Sequence, residues 1–183
     1  GFFVYKTEPV TAMADLAGCV TVRFAKSFRQ SYPFFETVAD DLIVSTLTET
    51  PSGLPTFQGF RDVRLSFGQL CRVIAAQPEG WMTALRSVGG VYVITTESGQ
   101  HYIGSASGAD GFWGRWSSYA ATGGHGDNAG LKALLSERPD AAKRFQFAIL
   151  ETADTATGRN DILARESHWK RVLGSRAVGL NLN

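Results

Sequence analysis

The stretch Gly90-Val91-Tyr92-Val93-Ile94-Thr95-Thr96-Glu97-Ser98-Gly99-Gln100-His101-Tyr102-Ile103-Gly104 decides the fold. Val91, Val93 and Thr95 alternate with Tyr92, Ile94 and Thr96, the period of two that suits a strand whose successive side chains point to opposite faces. Glu97-Ser98-Gly99-Gln100 supplies turn residues, and His101 to Ala106 reads as a partner strand, so the segment predicts an antiparallel hairpin. Its two tyrosines stand ten residues apart, one on each strand, in the tripeptides Gly90-Val91-Tyr92 and Tyr102-Ile103-Gly104.

Downstream of the hairpin, Gly111 to Ala121 carries aromatic residues at helical spacing, Gly123-Gly124-His125-Gly126 is a glycine-rich loop, and Asn128 to Leu135 predicts another helix. Phe145 to Leu150 predicts a third strand, and Asp161 is expected to cap a helix that runs to Leu173 and stops at Gly174. Upstream, Asp41 to Thr48 reads as a strand leaving into a turn at Pro51-Ser52-Gly53. Ser66 with Gln69 forms a capping-box pattern ahead of Phe67, Leu70, Val73 and Ile74 at helical spacing, Pro78-Glu79-Gly80 ends that helix, and Trp81 to Val88 predicts a shorter one. The expected fold is therefore α/β, a small, mostly antiparallel three-stranded sheet flanked by helices. Residues 1 to 89 form an α/β extension without legible chemistry, and residues 90 to 183 form the chemical domain.

With 44% hydrophobic and 19% charged residues, the 183-residue chain has the composition of a folded domain, and no apolar run approaches the roughly 20 residues that span a bilayer. No charged segment precedes an apolar one at the start, although the chain opens on Gly1 rather than Met, so this concerns the given stretch alone. The net charge of +1 argues against a surface coated uniformly for nucleic acid, and any positive field has to be local. Cys19 and Cys71 lack metal-site or C-x-x-C spacing and read as small thiols in a reducing compartment. His101, His125 and His168 are too scattered for zinc.

Two residues stand out on physical grounds. Ile162, Glu166, Trp169 and Leu173 fall at i, i+4, i+7 and i+11, which puts a carboxylate on the stripe this helix should bury. That is costly unless a cation meets it, either an arginine in a buried ion pair or a metal ion. Deleting it should then leave the stability of the metal-free chain unchanged or higher. Phe112, Arg115 and Tyr119, at i, i+3 and i+7, set a guanidinium among rings, either stacked with its tip in water or aimed at an anion.

The two tripeptides, followed in order by Arg115, Glu166 and Asn181, resemble the GIY-YIG nuclease family. The resemblance covers the second half of the chain and implies metal-dependent DNA endonuclease activity, with Mg2+ or Mn2+ on Glu166 as the one protein carboxylate. It implies that Tyr92 deprotonates the attacking water, that Tyr102 orders the water or contacts the phosphate, that Arg115 grips the scissile phosphate, and that Tyr119 lies near it. Asn181 would tie the chain end to the site, with Asn183 as a less well spaced substitute, and Gly104 would allow close approach at the substrate. Ser105 stands where several relatives carry a lysine, so a positive charge is missing or comes from elsewhere, and His125 is a candidate either to replace it or to contact DNA. The partner is DNA and not a membrane. The setting stays open among restriction, homing, repair and an antibacterial toxin or effector, the last with a cognate inhibitor protein. The place of action is the cytoplasm of the producing cell or of a toxin's target cell. The alternative is a nucleic-acid-binding module that keeps the fold and has lost catalysis.

Overall fold

The hairpin forms as its alternation predicts: strand β4, Val88–Thr95, pairs antiparallel with β5, His101–Ala106, setting Tyr92 opposite Gly104 and Ile94 opposite Tyr102. Gly99, at φ 79°, adopts the left-handed conformation that the connecting turn requires. The computed structural model describes residues 11–16, 18–25, 34–47 and 54–182.

The chain divides into two compact units, Gly1–Leu54 and Pro55–Asn183. In the first, strands β1, Val20–Arg23, and β2, Ile43–Leu47, pair antiparallel with an irregularity between Thr21 and Val22. The expected strand thus spans Ile43–Leu47, while Thr48 and the turn expected at Pro51-Ser52-Gly53 lie outside the described residues. Cys19 is buried and Cys71 half-buried.

The second unit holds a four-stranded sheet in the order β3-β6-β4-β5, every pairing antiparallel, with β3 at Arg64–Ser66 and β6 at Gln146–Asp154. The expectation of three strands is therefore corrected to four. The extra strand is three residues long, too short to show a period, and its last residue also caps a helix. Ser66 accepts from the Gln69 N–H while the Gln69 side chain accepts from the Ser66 N–H, the reciprocal cap expected there, opening helix α1, Phe67–Ala76. Helix α2, Glu79–Ser87, follows, and the buried residues Leu70, Val73, Trp81 and Leu85 belong to the same unit as the hairpin. The division thus falls at Leu54/Pro55 and not at residue 89, because β3 pairs with β6 and α1 and α2 pack against helix α3, Gly111–Ala121.

Alternation along the strands builds two apolar layers. On one face, Tyr92 and Phe147 meet Trp116 and Tyr119 of α3, with ring centroids 5.6 to 6.1 Å apart in edge-to-face contacts. On the other, Val91, Val93 and Ile103 are buried, with Leu150, Trp169 and Leu173 packed against them. Trp169 lies in helix α5, Arg159–Val172. Asp161 sits in its first turn rather than at its cap, which is Gly158. Helix α4, Ala129–Glu137, is capped by the Asn128 side chain, which accepts from the Leu131 N–H. Since β5 is an edge strand, α3 on one face and α5 on the other can both reach the same sheet margin. Among the described residues, no helix is long and apolar enough to cross a membrane.

Candidate active site

A cleft of about 620 Å³ opens along the β5 margin between α3 and α5. It is bordered by Tyr102 and Ser105 of β5, by the 107–110 turn, by Arg115 of α3, and by Arg159 and Glu166 of α5. The structure thus gathers Tyr102, Arg115 and Glu166 at one opening.

The α3 side is a hydrogen-bonded cluster. Arg115 donates through Nε to the Tyr92 hydroxyl at 3.1 Å, through one terminal nitrogen to the Gly126 carbonyl at 3.0 Å, and through the other to the Tyr119 hydroxyl at 3.3 Å. Its guanidinium carbon also lies 4.9 Å from the centre of the Tyr119 ring. Burial works against the charge, but the oxygens of Tyr92 and Tyr119 outweigh it and hold Arg115 protonated. Two of the five guanidinium N–H groups are left for an anion in the cleft.

Tyr92 is fully buried, its hydroxyl 2.8 Å from that of Tyr119, and it is not among the residues bordering the cleft. Burial pushes its phenol well above the ordinary range, and the nearby Arg115 offsets this only in part. The Tyr102 side chain, which borders the cleft, makes no hydrogen bond among the described residues. The hydroxyl end of the Tyr92 ring lies over Gly104, where any Cβ would collide with it. Gly104 therefore makes room for Tyr92 rather than for substrate. Gly90, at φ 136° beside the β4 irregularity, has no space for a Cβ against the Glu151 carbonyl.

The α5 side is a carboxylate cluster. Glu166, 13% exposed, pairs through Oε1 with Lys170 Nζ at 2.8 Å, and Ser105 Oγ donates to its other oxygen. Sequence reasoning named an arginine or a metal ion as the cation that meets Glu166 and overlooked Lys170, although Lys170 lies at i+4 from Glu166, a spacing that brings charges together. Lys170 is 4% exposed, so a positive charge does stand beside the carboxylate that Ser105 contacts. His125 does not fill that role at the cleft. It lies in the loop after α3, away from the cleft lining, and its Nδ1 accepts from the Asp127 N–H at 3.0 Å. That bond leaves Nδ1 no proton to share with the Asp127 carboxylate 3.8 Å away.

Asn181 is 3% exposed and behaves as a length of strand. Its amide oxygen accepts from the Ile103 N–H and its amide nitrogen donates to the Ile103 carbonyl, each at 2.8 Å. Leu180 N–H donates to the His101 carbonyl nearby, so the chain end covers the open edge of β5. Asn181 thus positions the strand that carries Tyr102 and touches nothing in the cleft; Asn183 lies outside the described residues. Asn181→Ala is expected to cost about 2–4 kcal/mol by stripping two buried backbone groups of their partners, read as a lowered urea midpoint with the slope unchanged.

A two-tyrosine hairpin with an arginine helix on one face and a glutamate helix on the other, sharing a cleft at the edge strand, resembles the GIY-YIG nucleases. Among solved structures the chain is similar to the catalytic domain of the intron endonuclease I-TevI in a mutant form, at 24% identity and a TM-score of 0.42, covering 52% of this chain and 94% of that one. It is also similar to the catalytic domain of the homing endonuclease I-TevI, at 25% identity and a TM-score of 0.40, covering 52% and 98%. No family model matches the chain, and no curated protein does.

Proposed function

We propose that the Pro55–Asn183 unit is a metal-dependent DNA endonuclease of the GIY-YIG type that hydrolyses phosphodiester bonds. The observation that carries this is the single open cleft onto which a protonated arginine, a carboxylate and an unbonded phenol converge from three different elements. A polyanion with an electrophilic phosphorus needs all three, a cation to hold its oxygens, a carboxylate to hold a hard cation, and a polar group near the attacking water.

The residues present fit a magnesium or manganese ion held by Glu166. Its carboxylate borders a cleft roomy enough for water and phosphate oxygens to complete an oxygen shell. When bound, such an ion would supply charge stabilisation to the reacting phosphate. Arg115 turns its two remaining N–H groups to the non-bridging oxygens, where charge grows as phosphorus becomes five-coordinate. Tyr102 is the phenol placed to meet the attacking water, and Tyr92 acts through Arg115, whose orientation it fixes.

The test is supercoiled plasmid incubated with the protein and Mg2+ or Mn2+, against an EDTA control. Nicked and linear products that require the metal are expected. Intact plasmid under conditions where the protein retards DNA would replace this reading with that of a binding module. Restriction, homing, repair and toxin settings share this chemistry, so product pattern and viability on expression distinguish them.

A further inference from the structure

Along α5, Arg159, Leu163 and Glu166 fall at i, i+4 and i+7, and all three border the cleft. The helix therefore lays a cation, an apolar side chain and a carboxylate in a row, the ends about 10 Å apart at 1.5 Å per residue. Each of the first two is out of place by local rules. Arg159 opens the helix, where the backbone dipole favours acids over bases, and it makes no hydrogen bond or ion pair with another described residue. Leu163 leaves 41% of its surface exposed inside a mostly polar opening. Arg115 and Arg159 are the two basic side chains that border the cleft among the described residues, and Arg115 is already turned inward by three hydrogen bonds.

We infer that α5 is the track of the substrate strand. Arg159 holds a backbone phosphate two helical turns from the Glu166 end, and Leu163 packs against the sugar or base between them. This rests on the nuclease reading and deepens it, because it names the helix along which the strand is gripped.

The experiment is equilibrium binding of a fluorescent DNA oligonucleotide in EDTA, where nothing is cut, across a series of salt concentrations. Arg159→Gln should weaken binding several-fold and flatten the slope of log affinity against log salt by about 0.7–0.9, the signature of one lost phosphate contact, while Arg159→Lys keeps the slope. Leu163→Ser should weaken binding several-fold with the slope unchanged, because an apolar contact releases no counterion. Arg171→Gln, on the same helix but outside the cleft lining, is the control. All these side chains are exposed, so the melting temperature should not move. Wild-type affinity and slope in Arg159→Gln, or a slope change in Leu163→Ser, would overturn the inference while metal-dependent cutting by the wild type still upheld the nuclease reading. A wild type that neither binds nor cuts would overturn both.

Discussion

Glu166→Gln is expected to leave no detectable plasmid cleavage and, in the same preparation, no calorimetric signal for Mn2+ binding. The amide keeps the shape of the side chain and a carbonyl to accept from Ser105, but it removes the charge that a hard divalent ion requires. The substitution should also destabilise the metal-free protein by about 2 kcal/mol. Lys170, 4% exposed, loses the carboxylate 2.8 Å from its ammonium, and removing an opposite charge from beside a buried ammonium is costly. From the sequence alone the sign is the opposite, since a carboxylate on an apolar stripe with no partner in view is an unrelieved desolvation cost. The lysine reverses it. Substituting Lys170 by Met together with Glu166→Gln should recover most of the lost stability without restoring cleavage. Measurable cutting by the folded Glu166→Gln protein would remove Glu166 from the metal site.

The hairpin, the α3 helix and the α5 stripe were legible because their signals are local. Periods of two and 3.6 read correctly over residues 91–95 and Gly111–Ala121, although Val88, expected to end a helix, opens the strand, and the Ser66/Gln69 cap marked the start of α1 to the residue. What remained hidden depends on the partner across space. The three residues of β3 become a strand only because β6 lies alongside, and that pairing moves the division of the chain from residue 89 to Leu54/Pro55. Asn181 and Ile103 are 78 positions apart, so although the resemblance gave Asn181 a tethering role, the backbone groups that it holds carry no local sign. Lys170 and Arg159 could have been found, because they sit four residues after and seven residues before Glu166 on the same helix. They were overlooked because a lysine and an arginine on a helix usually read as a solvated face.

Tyr102→Phe is expected to cut about 10² to 10⁴ times more slowly than the wild type while binding DNA normally, the range that a proton-accepting or water-orienting group contributes. Tyr92→Phe should lose less than tenfold in rate and instead about 1–3 kcal/mol in stability, because its hydroxyl is fully buried between Tyr119 at 2.8 Å and Arg115 at 3.1 Å. The motif alone points the other way, giving the water to Tyr92. Two physical facts argue for the exchange. No water can touch a hydroxyl with no exposed surface, and burial makes that phenol harder to ionise, so its proton would be held more tightly than in an ordinary tyrosine. Tyr102 stands two residues away on the neighbouring strand, on the same sheet face, bordering the cleft. Single-turnover rates at saturating DNA, paired with urea melts, separate the two roles. A Tyr92→Phe protein that is stable but slowed a hundredfold, beside a Tyr102→Phe protein that cuts at the wild-type rate, would return the chemistry to Tyr92 and require the cleft to open toward it on binding DNA.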